Sequence, residues 1–261
     1  MDGRSKPLSF AGPKGDLEGL WTPAAQALAV AILAHGAGAG MSHPFMEGAA
    51  AGLVLERVSV LRFNSVEINY TFRQQPAEKT LTTWRDATPD GFSFTLKAHQ
   101  RITHWLRLAN ADEAVSTFLD RARVLGPRLG TILFQCPPNL EFERKLIEGF
   151  LAYLPPTFRY AFEFRHPSWS EAGPILASQG AAWCVAETDE SALPEDFAIP
   201  SSPFSYLRLR RTEYSDQDLA AWSRRIAPVL AEGRDVYCYF KHEEKGAGPI
   251  LAERMAGLLS G

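Results

Sequence analysis

Eight short β-rich runs punctuate the sequence: "LAVAILAH" (28–35), "SVEIN" (65–69), "FSFTLK" (92–97), "TILFQ" (131–135), "YAFEF" (160–164), "AWCVA" (182–186), "FSYLRL" (204–209) and "VYCYF" (236–240). Amphipathic stretches separate most of them. Units of strand then helix, roughly 30 residues each, imply parallel strands joined by right-handed crossovers, and eight such units can close into a barrel. The rival is an open doubly wound sheet, which would gather its polar residues at one switch point and carry a phosphate loop. Here polar residues recur at the carboxyl ends of many strands, so the expected fold is a single (β/α)8 TIM barrel. Residues 28–35 would supply its first strand.

The helical stretches have legible ends. "ADEAVSTFLDRARVLG" places Val115, Phe118, Ala122 and Leu125 on one stripe, with acids in its first turn and Gly126–Pro127 as a stop. "SDQDLAAWSRRIAPVLAEG" offers Ser215 and Asp218 as a capping pair and Leu219, Trp222 and Ile226 as its apolar face. Gly233 ends it, and Pro228 is expected to kink it. In "NLEFERKLIEGFLAYLPP" the expected inward residues are Leu146, Phe150 and Leu154.

A chain of 261 residues with 46% hydrophobic content can bury one large core and has the usual size of such a barrel. One domain, 1–261, is expected. A net charge of -3 argues against a surface built for a nucleic-acid backbone, so such a partner would have to be met by a local basic cleft. Three widely spaced cysteines in apolar context, Cys136, Cys184 and Cys238, suit buried thiols in a reducing compartment, which makes the cytoplasm the expected location. No export signal is visible, and the apolar run 27–34 is too short to span a bilayer, so no membrane partner is expected.

Side chains alternate along a strand, which turns the eight runs into a map of the barrel mouth. Phe92, Phe94 and Leu96 point to the helices, and Ser93, Thr95 and Lys97 point inward. The same alternation sends Glu67, Asn69, Gln135, Glu163, Arg165, Arg208 and Arg210 inward, with Phe162, Phe164 and Leu209 outward. Burying so many ionisable groups costs several kcal/mol per ion unless they pair or meet a ligand. A ligand site is therefore expected at the mouth; the competing reading is a self-satisfied network that closes the barrel top without chemistry.

"FEFRHPSW" (162–169) is the densest segment, leaving its strand with an acid, an arginine and a histidine before Pro167. His166 can act as a general acid or base, or it can fix its loop through backbone hydrogen bonds. His104 and His242 follow strands three and eight and carry the same two readings. Glu67, Glu163, Asp189, His104 and His166 are the residue types that hold divalent metals, yet no HExxH, CxxC or EF-hand spacing is present, so no metal is expected and no cofactor is named. Trp105, Trp169, Tyr206, Tyr214 and Tyr239 can stack on a base or sugar, or simply pack.

From Phe63 onward, "RFNSVEINYTFR", "FTLKAHQRITH", "LGTILFQCPPNL", "FEFRHPSW", "SYLRLR" and "DVYCYFKHEEKGAG" resemble the YecE-like TIM-barrel family, a bacterial family of unknown function. The resemblance covers about residues 63–261 and implies a barrel distantly related to the xylose-isomerase and endonuclease-IV barrels. Its recurrent polar positions fall here on Glu67, Asn69, Lys97, His104, Gln135, Glu163, Arg165, His166 and Arg208. The preceding segment lacks that family's opening strand and its Tyr/Trp-rich loop. Residues 8–64, with "AVAILAHGAGAG", look instead like the start of a dienelactone-hydrolase-like α/β-hydrolase, placing a seam near Arg62–Asn64. No serine sits in G-x-S-x-G, and "HGAGAG" lacks the lysine of a P-loop.

The expected site thus has Glu67, Glu163, His166 and His104 as catalytic candidates and Asn69, Lys97, Gln135, Arg165 and Arg208 as ligand-binding ones. The expected ligand is a small anion, such as a phosphate or sugar phosphate, with a carboxylate as base. Two alternatives stand beside it. One is a nucleic-acid-binding or nuclease-like barrel using Arg208, Arg210 and Arg211 beside Tyr206 and Tyr214. The other is an inactive hybrid that has lost the family's first strand end.

Overall fold

The computed structural model describes residues 6–10, 17–21, 28–34, 63–191, 193–194, 196–241 and 247–260. Strands β1 (Lys6–Phe10) and β2 (Leu17–Trp21) pair antiparallel as a separate two-stranded sheet. That hairpin was not foreseen, although the sequence between its strands carries the Gly-Pro-Lys-Gly composition of a turn.

All eight β-rich runs become barrel strands. They are β3 (Leu28–Ala34), β4 (Ser65–Ile68), β5 (Ser93–Lys97), β6 (Leu129–Gln135), β7 (Arg159–Glu163), β8 (Ala182–Glu187), β9 (Phe204–Leu209) and β10 (Asp235–Lys241). They pair parallel in chain order, and β10 returns to pair with β3, which closes the cylinder. β3 is thus a full member of the barrel, held between β10 (Tyr239↔Ala31) and β4 (Leu33↔Glu67).

Among the described residues the α-helices are α1 (Glu78–Asp86), α2 (Asp112–Ala122), α3 (Arg144–Ala152), α4 (Ala172–Ser178), α5 (Asp216–Ala231) and α6 (Ala247–Ser260). α6 lies beside β3, β10 and α5, so the carboxyl-terminal helix covers the strand supplied by the amino-terminal segment. None of these helices is long and apolar enough to cross a membrane.

The local signals hold where they rest on capping chemistry. Ser215 and Asp218 form a reciprocal capping box at the start of α5, and Pro228 lies inside a helix that continues to Ala231. α2 buries Val115, Phe118, Leu119 and Ala122, and Gly126 takes the left-handed φ of 53° that lets the chain turn toward β6. Of the expected inward residues of α3, Phe150 and Leu154 are buried in the core, Leu154 just past the helix end, and Leu146 packs half-buried against it. Within the helix the buried stripe is Ile147, Phe150 and Leu151. The helix begins at Arg144, and from there these three share one face.

Outward-facing strand residues pack under the helices, with Phe134 and Phe162 stacked at 5.1 Å and Phe150 edge-on to Phe134 at 5.1 Å. The barrel interior holds a second cluster, Leu133, Ala161, Ala182, Cys184, Phe204, Tyr206, Tyr237 and Tyr239. The small residues of β7 and β8 leave room for the rings of β9 and β10, so the interior is filled with side chains. All three cysteines are buried free thiols, and burial pushes the Cys184 thiol well up, away from thiolate chemistry.

Candidate functional site

Period-two alternation explains why the polar groups point inward, and closure decides whom they meet. β9 neighbours β8 and β10 in the sheet, yet Arg208 from β9 reaches across the lumen to β4 and β7. Its Nη2 and Nε donate to Glu67 Oε1 and Oε2 at 2.8 and 3.1 Å, and its Nη1 donates to Glu163 Oε2. The guanidinium fork suits this geometry, since one face binds a carboxylate in bidentate fashion and the remaining nitrogen takes a second. Tyr206, two residues earlier on the same face of β9, donates its hydroxyl to Glu67 Oε2 at 2.6 Å.

The three charges are almost fully buried: Arg208 and Glu163 are each 2% exposed and Glu67 0%. Burial alone would raise the Glu163 carboxyl, but Arg208, Arg165 and the Gln135 hydrogen bond outweigh it and hold Glu163 well below the usual carboxylate range. Burial likewise opposes the charge on Arg208, and Glu67 and Glu163 more than restore it. Burial and the adjacent Glu67 push the Tyr206 phenol well up, so it stays a donor.

A second chain of contacts runs along the rim. Lys97 Nζ donates to Gln135 Oε1 at 2.7 Å, Gln135 Nε2 donates to Glu163 Oε1 at 2.9 Å, and Arg165 Nε donates to the same oxygen at 2.9 Å. Neighbouring register positions of β6 and β7, Gln135↔Glu163, place the two side by side. Lys97 Nζ also stands 4.0 Å over the Phe72 ring, and among the described residues it has no carboxylate at ion-pairing distance. Burial, with the repulsion of Arg208, pushes Lys97 down to about 8 despite the pull of Glu67 and Glu163. Arg210, half-buried just past β9, has a buried Nε without a hydrogen-bond partner, and burial and Arg208 lower its affinity for a proton. Among the described residues four basic side chains, Lys97, Arg165, Arg208 and Arg210, thus share the two carboxylates Glu67 and Glu163, an excess of positive charge.

The remaining candidates sit further from this centre. His166 caps the turn Pro167–Glu171: its Nδ1 accepts from the Ser168 amide at 3.3 Å and pairs with Ser168 Oγ at 2.7 Å. That is the loop-fixing role. His104 is half-buried, with Nδ1 2.9 Å from Thr103 Oγ1 and its ring edge-on to Phe72 at 4.9 Å. Burial, then Lys97 and Arg165, lower its pKa, which favours the neutral imidazole. Asn69 follows the end of β4 and opens the short turn Tyr70–Phe72 with its carbonyl. Asp189 is engaged by the amide and hydroxyl of Thr212, tying the loops after β8 and β9 together. Among the described residues no three His, Cys, Asp or Glu side chains gather into a metal-holding group. His242 and the glycine-rich stretch 36–40 lie outside the described residues.

Of the aromatic candidates, Trp169 is fully buried against Phe164 at 3.8 Å, Tyr206 and Tyr239 fill the barrel, and Tyr214 packs on Phe240. Only Trp105 of that set is exposed, at 64%. Tyr206, expected as a stacking or packing residue, instead donates to Glu67 from the face it shares with Arg208. Phe72 escaped sequence reasoning, since it reaches Lys97 through a short turn that carries no periodic signal.

Comparison with known proteins agrees with this architecture. A family described as "Protein of unknown function DUF72" matches residues 49–261. The UPF0759 protein YecE of Escherichia coli strain K12 is 36% identical over 112 residues, as is its namesake in Escherichia coli O157:H7. Each match spans 42% of this chain and 41% of the relative, about two fifths of either length. Among solved structures, a DUF72 family protein from Enterococcus faecalis superimposes with a TM-score of 0.71 at 15% identity, covering 90% of this chain and 98% of its own. One from Thermotoga maritima gives 0.70 at 23% identity, covering 89% and 100%. At those identities the likeness concerns the fold. It necessarily takes in residues ahead of Phe63, and the family match begins at residue 49, so the stretch 49–62 that resembled a hydrolase falls within this family instead.

Proposed function

The chain belongs to the DUF72 family, whose biochemical function is not known, and we propose that its barrel rim binds an anionic, phosphorylated small molecule. The observation that carries the reading is the surplus of positive charge at the rim among the described residues: buried Lys97 and Arg208 already balance Glu67 and Glu163, and half-buried Arg210 and the more exposed Arg165 stand beside them. Each desolvated cation costs several kcal/mol, which a bound phosphate offsets through charge-assisted hydrogen bonds. Lys97, Arg165 and Arg210 form the anion-facing set, with Gln135 and Asn69 at its edge. Arg208 and Glu67 neutralise each other and act as the scaffold, and Glu163, held as a carboxylate by its donors, is a fixed counter-charge and a poor base. His104, with its neutral form favoured and Phe72 beside it, is the better-placed proton carrier, and His166 holds its loop.

The nucleic-acid reading loses ground, because Arg208 is engaged by two carboxylates and Arg211 pairs with Asp218 at 2.9 Å. For residues 8–64 the hydrolase resemblance supplies no nucleophile, so the proposal gives that segment a barrel strand and no chemistry. One domain and a reducing, cytoplasmic setting complete the reading, supported by the position of β3 and by the three free thiols.

The test is a thermal-shift screen with inorganic phosphate, sugar phosphates and divalent ions on the wild type, Lys97→Met and Arg210→Ala. A ligand at a hundred times its Kd stabilises by about 2.7 kcal/mol, which moves the midpoint by roughly 5–10 °C. A shift of equal size in both variants would place the anion elsewhere, and no shift from any phosphate would leave a folded barrel without this function.

A further inference from the structure

We propose that Lys97 is a carbonyl-trapping amine, whose Nζ condenses at the barrel rim with an aldehyde or ketone that also carries an anionic group. The inference rests on the anion-binding reading above and names the substrate class for that site. Lys97 is 8% exposed at the end of β5, whereas Lys79 and Lys145 lie on the surface. Among the described residues its hydrogen-bond acceptor is the neutral amide of Gln135, and that amide is fixed in turn by Glu163. One side of the amine is walled by the Phe72 ring at 4.0 Å, and Arg165 and Arg208 repel a further positive charge beside it. An anion-anchoring lysine needs only its charge, whereas an amine that must also offer a lone pair gains from this dry, cation-flanked position, which disfavours its protonated form. The value of about 8 follows from the same surroundings.

The step balances without an oxidant. The Nζ lone pair forms a C–N bond to the carbonyl carbon while the carbonyl oxygen gains a proton and nitrogen loses one. The resulting carbinolamine then gives up its remaining N–H proton as its hydroxyl takes one up and leaves as water, and the nitrogen lone pair forms C=N. Arg165 and Arg210 hold the anionic end, which fixes the carbonyl against the amine.

Reductive trapping tests this on the intact protein. Wild type is incubated at pH 8 with glycolaldehyde phosphate and sodium cyanoborohydride, with uncharged glycolaldehyde in a parallel arm, and modified lysines are located by peptide mass. The borohydride delivers hydride to the imine carbon and is itself oxidised, leaving a stable secondary amine. Lys97 should be modified on the order of tenfold faster than the surface Lys79 or Lys145, because a large share of its amine is neutral at pH 8 and the docked anion holds the carbonyl against it. Inorganic phosphate should slow the reaction, and with glycolaldehyde the preference should fall to the smaller share that the neutral amine supplies without the anionic handle. Modification of Lys97 no faster than that of the surface lysines overturns the proposal. In that event a surviving phosphate thermal shift leaves the anion site standing, and its absence removes both.

Discussion

Arg208→Ala removes the one cation that bridges Glu67 and Glu163 across the lumen, and the structure sets the size of the loss. All three groups are at most 2% exposed, so the variant leaves two carboxylates buried with Tyr206, Gln135 and Arg165 as their remaining donors. Breaking a buried pair by deleting one partner costs about 3–5 kcal/mol, because the stranded charge keeps its desolvation penalty. For a chain of this size that corresponds to a fall of roughly 6–20 °C in the melting midpoint. The pH dependence carries the sharper test. Glu163 is held below its unfolded value of about 4.3, so its stabilising share is present above that pH and fades as pH falls through the lower folded value. Without Arg208 its pKa rises, protonation comes earlier, and the gap between variant and wild type should narrow from pH 7 to pH 4. Thermal or urea unfolding followed by circular dichroism at both pH values reads this directly. Adding Glu67→Gln and Glu163→Gln to the arginine variant should recover most of the loss, since no unpaired charge remains. A penalty below about 1 kcal/mol at pH 7, or a gap that does not narrow in acid, would refute the reasoning.

Other consequences are open to the same instruments. Lys97 has a folded pKa below its unfolded one, so the unfolded state binds more protons between about pH 8 and 10.4, and wild-type stability should rise with pH across that window; in Lys97→Met the rise should flatten. Phosphate binding, followed by calorimetry, should weaken as pH climbs through 8 and Lys97 loses its charge. Ser215→Ala should cost about 1 kcal/mol in urea unfolding by removing half of the capping box on α5. Trp169→Ala should cost about 3–5 kcal/mol, since it empties the space stacked on Phe164 and strips the Leu140 carbonyl of its 2.6 Å indole donor.

Strand positions and the inward or outward sense of Glu67, Lys97, Glu163 and Arg208 were legible in the sequence, because side-chain alternation is a local property of extended backbone. So was the start of α5, where Ser215 and Asp218 satisfy each other's amides within one turn. The family resemblance was legible too, although its boundary was drawn at Phe63 and the match starts at residue 49. Partnership was not. Alternation says which side of a strand a residue occupies, but Arg208 meets Glu67 141 positions away only because β10 returns to β3 and turns a row of strands into a ring. The same closure sets the Tyr239 hydroxyl against Ser65 and Thr95, and it gives Lys97 an amide and an aromatic ring for company where a carboxylate would have been the simple guess. The chain's order of residues thus settled what each strand offers to the lumen. Which charges would neutralise one another and which would be left for a ligand was decided by the curvature that brings non-adjacent strands face to face.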